Sequence, residues 1–312
     1  MSLPEVVAAQ RGVVIRRQLL IAGWTDGQIA AQLGARRWKR VYPGVYATFT
    51  GEPSWDQRVL AALLACGDGA VAGFQTAAAL HGFGVRGKPL RIVVPASRRL
   101  TPPPGVVLTR SRALGEDAVL GSFPPRTRVE RTAIDLVDEA VRVDVAFAWL
   151  AGAVQQRCTT AARLHGAVEL RRNIRHRREL LLALSDIAAG VHTELERRWL
   201  RIEQKHQLPP GRRQVGERGH GSTRWLDCDY DPYRVRVELD GRLGHDEVSE
   251  RWRDLRRDNS AVVAGHLPLR FGWADLLTRG CVAAGQVATV LLRAGWPDRP
   301  RRCGASCELP LR

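Results

Sequence analysis

The segment 233–241, YRVRVELDG, alternates apolar and charged residues with a period of two. Because successive side chains of a β-strand point to opposite faces, this alternation predicts a strand with one buried face. Glu238 and Asp240 share the charged face with Arg236, opposite three aliphatic residues. Two carboxylates so placed repel each other unless a cation joins them. The strand therefore predicts a site for a cation as well as an element of a sheet.

A second strand is predicted immediately before it, in RWLDCDY at 224–230, with Asp231-Pro232 as the connection. Such a hairpin brings Asp227 alongside the carboxylates of the second strand. Three carboxylates at a strand end form a hard-oxygen site that suits Mg²⁺ or Mn²⁺. Gly241 allows a bend after the strand, and His245 follows closely enough to fold back over the site.

A structural role for the same charges is the alternative. Glu238 and Asp240 would then pair with Arg236, with Arg224 or with the arginine-rich segment that follows. That segment, at 246–265, predicts a helix carrying the possible phosphate-binding residues Arg253, Arg256 and Arg257.

The chain carries a formal net charge of +16 over 312 residues, a length that predicts about two domains. Residues 1–190 hold 26 basic and 15 acidic groups, and residues 191–312 hold 22 and 17. This excess makes an acidic polymer, DNA above all, the expected partner. The apolar and charged fractions, 45% and 26%, exclude a disordered or collagen-like chain.

No apolar run is long enough to span a bilayer, and the order of charges at the N-terminus is wrong for a signal peptide. A cytoplasmic protein without membrane contact is expected. The six cysteines are scattered and form no CxxC pair, so neither a disulfide framework nor a zinc site is predicted. No oligomeric state is predicted.

Residues 11–50 predict a compact DNA-binding unit. Two helices, ending at Gly23 and Gly34, precede two short strands that turn at Pro43-Gly44. Thr25 is the expected N-cap of the second helix. This order is the outline of a winged helix-turn-helix, in which the second helix enters the major groove of DNA.

Six residues of this unit are the expected DNA contacts. Basic side chains in the wing would meet phosphates, and two glutamines four residues apart on the second helix would face base edges. These residues are Arg36, Arg37, Lys39, Arg40, Gln28 and Gln32. A small solvated helical unit with a charged face is the alternative.

The domain boundaries follow from these patterns. We expect a winged helix at 1–50, a mixed α/β middle region at 51–170, a basic helical linker at 171–190, a C-terminal domain with the acidic strands at 191–297 and a tail at 298–312. The basic run at 169–179 predicts a solvated helix end or linker, or alternatively a second stripe that contacts DNA. The predicted fold class is a multidomain α+β or α/β protein.

The C-terminal half resembles a known family of folds. An aspartate, a hairpin and ExDG on a sheet flanked by an acidic helix resemble the PD-(D/E)XK nuclease core. The longer pattern R-x-x-D…VELDG-x-x-x-H…R-x-x-D-L-R-R-D…G-H-x-x-L-R-F resembles the endonuclease-like domains related to very-short-patch-repair (Vsr) endonucleases, across residues 190–280. The resemblance implies that the domain at 191–297 is a nuclease-like domain of the PD-(D/E)XK type, with a restriction-endonuclease-like mixed sheet flanked by helices.

The resemblance also implies roles for individual residues. Asp227 matches the central metal-binding aspartate, Glu238 the second acidic ligand and Glu196 the acidic residue of the first helix. His245 matches the histidine that helps to activate the nucleophilic water. Asp240 stands where the general motif has lysine, which leaves the water-activating role open between His245, Glu196 and a second metal ion.

The N-terminal half resembles the winged-helix domain of the AbiEi antitoxin family of type IV toxin–antitoxin systems. The matching residues run from GVVIRRQ at Gly12 through PGVY to the AAALHGF segment that ends at Phe83. This resemblance implies a DNA-binding repressor. The two resemblances together predict a Mg²⁺-dependent endodeoxyribonuclease targeted by a winged helix, with an antitoxin-like transcriptional repressor carrying a degenerate nuclease domain as the alternative.

Overall fold

The structure, a computed structural model, describes residues 3–117, 122–189, 193–219, 222–240 and 248–309. It is a mixed α+β protein with several small sheets. The chain divides into two compact units, Met1–Leu136 and Val137–Arg312.

The first unit begins with three helices interleaved with a three-stranded sheet. Its first elements are α1 (Leu3–Ala9), β1 (Val13–Ile15), α2 (Arg16–Ile21), α3 (Asp26–Gly34), β2 (Lys39–Tyr42) and β3 (Val45–Ala47). The sheet has the order β1-β3-β2, and both pairings are antiparallel. Thr25 caps α3, since its side-chain oxygen accepts a hydrogen bond from the backbone N–H of Gln28.

A second sheet forms the rest of this unit. Its elements are α4 (Trp55–Cys66), β4 (Val71–Ala72), α5 (Phe74–His81), β5 (Leu90–Pro95), β6 (Val106–Ser111) and α6 (Leu114–Asp117). The sheet order is β4-β5-β6, with β5 and β6 parallel. The core between α4 and this sheet is made of small and aliphatic side chains, including Val59, Ala62, Ile92 and Val94. Helix α7 (Val129–Glu139) contains the boundary between the units.

The second unit is a mixed four-stranded sheet with helices. Its elements are α8 (Val143–Gln155), α9 (Ala161–Leu170), α10 (Arg177–Ala189), α11 (Thr193–Lys205), β7 (Arg212–Gly219), β8 (Ser222–Tyr230), a 3-10 helix (Asp231–Tyr233), β9 (Val235–Asp240), α12 (Val248–Val263), β10 (Leu267–Gly272), α13 (Trp273–Thr278) and α14 (Gly280–Arg293). The sheet order is β10-β9-β8-β7. Strands β9 and β10 are parallel, and the other two pairings are antiparallel.

The predicted hairpin is confirmed as β8 and β9, joined by the turn at Asp231–Tyr233. The apolar face of β9 is buried as predicted, at Val235, Val237 and Leu239. The charged face is partly covered as well, because Arg236 is buried and Glu238 is half-buried. The segment predicted as a basic linker contains α10, in which Leu180, Ala183 and Leu184 are fully buried.

Helix α11 covers the apolar face of the sheet. Its Trp199 is fully buried and stacks on Phe271 of β10, with ring centroids 5.5 Å apart. Its buried Glu203 accepts a hydrogen bond of 2.6 Å from the hydroxyl of Tyr230 on β8. Burial raises the pKa of this tyrosine hydroxyl and raises the pKa of the neighbouring Cys228 thiol to about 12.

Candidate functional site

The charged face of the C-terminal sheet brings the predicted acidic residues onto neighbouring strands. Asp229 pairs with Arg236 in the antiparallel register of β8 and β9, and Asp227 and Glu238 each lie two residues from these paired residues in their own strands. Residues directly opposite each other share a face, and so do residues two apart in one strand. Asp227 and Glu238 therefore lie on the same side of the sheet, opposite the side covered by α11.

Asp227 lies where the ladder between β8 and β9 ends. The paired residues run from Tyr230↔Val235 to Cys228↔Val237. Beyond that point, the side-chain Oδ2 of Asp227 accepts a hydrogen bond of 2.7 Å from the backbone N–H of Leu239. This hydrogen bond fixes the carboxylate of Asp227 beside the end of β9, at the end of the hairpin away from its turn. Asp227 is half-buried there.

Glu238 is held by an arginine from the parallel neighbour. Arg270 pairs with Glu238 in the register of β9 and β10, and its Nη2 lies 3.0 Å from Oε2 of Glu238. The same nitrogen lies 2.9 Å from Oδ1 of Asp258 on α12. The side chains of Glu238 and Arg270 are 18% and 25% exposed, so water screens their charges only in part. One guanidinium therefore joins a strand carboxylate to a helix carboxylate.

Arg236, one of the cations expected to neutralise Glu238, contacts other side chains. Its Nη2 lies 3.0 Å from Nε2 of His266, and its Nε lies 4.0 Å from Oδ1 of the buried Asp229 opposite it on β8. Sequence reasoning missed Arg270 as a partner of Glu238, and Asp258 as a second partner of Arg270. Both belong to the R-x-x-D-L-R-R-D and L-R-F stretches, which were the available signal.

Asp240 and Glu196 complete the predicted acidic set. Asp240 ends β9 opposite Gly272 of β10 and is half-buried. Glu196 lies near the start of α11, where Arg198 donates a hydrogen bond of 2.9 Å to the carbonyl oxygen of Leu276 in α13. The helix that carries Glu196, α11, packs on the apolar face of the sheet, whereas Glu238 lies on the charged face.

Several predicted residues fall outside what the structure describes. These are His245 and the side chains of Arg224, Arg253 and Arg257. Arg256, on α12, is exposed. Among the side chains that are described, Glu196, Asp227, Glu238 and Asp240 do not converge into a group of three or more ligand atoms able to surround one ion.

In the N-terminal unit, three arginines present uncompensated charge. Arg36, Arg37 and Arg40 are exposed, and no carboxylate in the described ranges pairs with them. Lys39 differs, since its ammonium group pairs with Glu52. The turn that carries Arg36 and Arg37 and leads into β2 is fixed by Trp38, whose ring stacks on Trp24 at a centroid distance of 4.8 Å.

The two glutamines of α3 differ in their surroundings. Gln28 is exposed, but its side-chain oxygen accepts a hydrogen bond of 2.8 Å from the backbone N–H of Thr25. Together with the bond from Gln28 N–H to the Thr25 hydroxyl, this completes a capping box that sequence reasoning missed. Gln32 is half-buried at the C-terminal end of the helix.

Four potential metal ligands converge elsewhere in the second unit. One ligand atom from each of His206, Cys281, Cys303 and Cys307 lies within 4.8 Å of the other three. The cysteine spacing predicted no zinc site, because the contributing elements are far apart in sequence. Within the described ranges this is the one group of three or more such residues.

Comparison of the sequence with protein-family models and with curated proteins finds no match in either. None of the described helices combines the length and the apolar composition needed to cross a membrane.

Proposed function

We propose that this chain is a DNA-binding protein that hydrolyses phosphodiester bonds with a divalent metal ion held on the charged face of its C-terminal sheet. The observation that carries the proposal is the position of Asp227, whose carboxylate is fixed at the open end of the β8–β9 ladder on the face shared with Glu238. Asp227 and Glu238 are the first aspartate and the glutamate of the predicted Asp…ExD pattern.

The donor set fits Mg²⁺ or Mn²⁺. Asp227 and Glu238 supply carboxylate oxygens, and Mg²⁺ is commonly bound through one or two carboxylates while it keeps several waters. When bound, such an ion polarises the phosphoryl oxygen and lowers the pKa of a coordinated water. The Asp227–Leu239 hydrogen bond orients the first ligand before any ion arrives. Arg270 holds the second one against β10.

The N-terminal unit would bind the DNA. We propose that it is the winged helix-turn-helix predicted from residues 11–50, with α3 as recognition helix and β2–β3 as wing. Support comes from the charge of Arg36, Arg37 and Arg40, which no described carboxylate neutralises. Phosphate contacts of this kind determine affinity and its salt dependence.

A second candidate is a DNA-binding repressor without nuclease activity. The observation in its favour is the Arg270 bridge, which joins Glu238 to Asp258 and already neutralises the expected metal ligand. In this case the C-terminal sheet would be structural, and the N-terminal arginines would account for the whole activity.

The nuclease assay uses the full chain with supercoiled plasmid and linear duplex DNA, with Mg²⁺ or Mn²⁺ added or omitted. We expect metal-dependent nicking or cutting that Asp227→Asn and Glu238→Gln reduce by at least about 100-fold. Asp231→Asn is the matched control, because Asp231 is an exposed aspartate beside the same sheet that pairs with Arg212. Cleavage that survives in Asp227→Asn would identify a contaminating nuclease and contradict the proposal.

DNA binding is tested separately, by affinity as a function of salt. Replacing Arg36, Arg37 and Arg40 with alanine should lower the slope of log K against log salt by about 0.9 for each phosphate that is no longer neutralised. Arg99→Ala, an exposed arginine outside the predicted unit, is the control. If the triple variant and the control bind alike, the wing assignment is wrong, whatever the nuclease assay shows.

A further inference from the structure

The cluster of His206, Cys281, Cys303 and Cys307 is assembled from three separate parts of the second unit. His206 follows α11, Cys281 lies in the first turn of α14, and the other two cysteines lie in the C-terminal segment after α14. His206 and Cys307 are buried, Cys281 is half-buried and Cys303 is exposed. Residues 101 positions apart in sequence are thus brought into contact.

Two of the six distances between ligand atoms in this cluster match the edges of a tetrahedral site, and the other four lie within 4.8 Å. Zinc binds sulfur at about 2.3 Å and histidine nitrogen at about 2.0–2.1 Å, so a tetrahedron has edges of about 3.8 Å between sulfurs and about 3.5 Å between nitrogen and sulfur. The sulfurs of Cys281 and Cys303 are 3.6 Å apart. The Cys307 sulfur lies 3.5 Å from Nε2 of His206.

The imidazole of His206 is oriented for ligation. Its Nδ1 donates a hydrogen bond of 2.8 Å to the carbonyl oxygen of Ile202, which fixes the proton on Nδ1 and leaves the lone pair of Nε2 directed at the cysteines. A backbone carbonyl in this position is the usual outer partner of a zinc-binding histidine.

We propose that His206, Cys281, Cys303 and Cys307 bind one zinc ion as a closed Cys₃His structural site. Three sulfurs and one imidazole select zinc over Mg²⁺ or Mn²⁺, which prefer oxygen ligands. Four protein ligands leave no open position for substrate, so the ion stabilises the fold and takes no part in hydrolysis. The proposal is independent of DNA cleavage.

The ion would fasten the C-terminal segment to the sheet domain. Apart from the cluster, a backbone bond of 2.8 Å from Arg301 N–H to the carbonyl oxygen of His206 joins this segment to the end of α11. Leu309 is buried at the far end of it. Zinc at the cluster would therefore hold residues 301–309 in place, and its removal would release them.

The test is the metal content of the untagged full chain, purified without chelators and measured by plasma mass spectrometry. We expect about one zinc per chain. When Co²⁺ replaces the released zinc, the protein should show the intense visible absorption of tetrahedral Co²⁺ with thiolate ligands, which the zinc form lacks. Zinc removal should lower the Tm by roughly 5 °C or more.

Cys303→Ser is the variant of choice, because Cys303 is exposed and its replacement leaves the core intact. It should lose zinc to a colorimetric chelator at least about ten times faster than the wild type. Cys158→Ser, a half-buried cysteine outside the cluster, should behave as wild type. A chain that is purified without metal and gives no Co²⁺ spectrum overturns the proposal. So does a Cys281–Cys303 disulfide, seen as two missing thiols among the six in denaturant.

Discussion

The bridge from Glu238 through Arg270 to Asp258 makes a prediction that separates the two candidate functions. Arg270→Met removes the guanidinium while keeping most of the aliphatic stem. Because this strips a cation from two carboxylates at 3.0 and 2.9 Å, it should cost more than Glu238→Gln, which leaves Arg270 its second partner. The relevant quantity is the free energy of unfolding of each variant.

The magnitude follows from the exposure of the pair. Exposed ion pairs are worth about 0.2–1 kcal/mol, and removing one partner of a fully buried pair costs about 3–5 kcal/mol. With exposures of 18% and 25%, the pair lies between these limits. We expect Arg270→Met to cost about 2–3 kcal/mol and Glu238→Gln about 1–2 kcal/mol, with a coupling energy of about 1 kcal/mol between them.

The assay is urea unfolding of the two single variants and the double variant, followed by far-UV circular dichroism and tryptophan fluorescence so that separate transitions of the two units would be seen. Arg142→Met is the control. Its side chain is 68% exposed and pairs with Asp144 in the same unit, so it should cost less than about 1 kcal/mol. Additivity within about 0.3–0.5 kcal/mol, or equal costs for Arg270→Met and Arg142→Met, would refute the coupling.

Added metal turns the same variants into a functional test. If Glu238 is a metal ligand, Arg270→Met removes the guanidinium that competes with the metal ion for its carboxylate. Mn²⁺ should then raise the Tm of this variant more than that of the wild type. Equal shifts in the two proteins would favour the repressor over the nuclease.

Two further predictions concern the N-terminal unit. Arg36 has a φ of 56° just after α3, a backbone conformation that favours glycine, so Arg36→Gly should raise the free energy of unfolding in urea by about 0.5 kcal/mol. Arg40→Gly, in strand β2, is the control and should lower the free energy of unfolding. A loss of stability in both variants would contradict the backbone argument. Burial lowers the pKa of His81, and the nearby Arg126 lowers this pKa further. The hydrogen bond to the Thr127 carbonyl oxygen and the charge of Glu130 raise the pKa but do not offset the effect of burial. As the pH falls, His81 is therefore protonated in the unfolded chain before it is protonated in the folded protein. The contribution of the neutral imidazole to stability is present above pH about 6.5 and is lost as the pH falls below that value. His81→Gln should flatten the decline in Tm between pH 7 and 5, and an unchanged slope would exclude His81 as its source.

The sequence predicted those features that local periodicity determines. The buried apolar face of β9, the hairpin with β8 and the N-cap at Thr25 each depend on residues within a few positions of one another, and all three are present. Arg270 could not be assigned to Glu238 in this way. Their contact depends on the parallel register of β9 and β10. That register is set by the packing of α12, the helix that connects the two strands in sequence.

The Cys/His cluster was missed for a related reason. Its ligands come from the end of α11, the start of α14 and the C-terminal segment, so no short spacing marks it. The role predicted for Gln28 illustrates a different limit. A glutamine three residues after Thr25 fits a base-reading position and a capping box equally well, and the structure has the capping box.

The stacked rings of Trp24 and Trp38 have a thermodynamic consequence for any polyanion that meets the arginines beside them. Because this stack fixes the turn before binding, little conformational entropy remains to be lost there on association. Binding should then resemble docking of a rigid surface, with a small heat-capacity change and a rate that falls steeply with ionic strength, in contrast to a basic arm that folds only on contact.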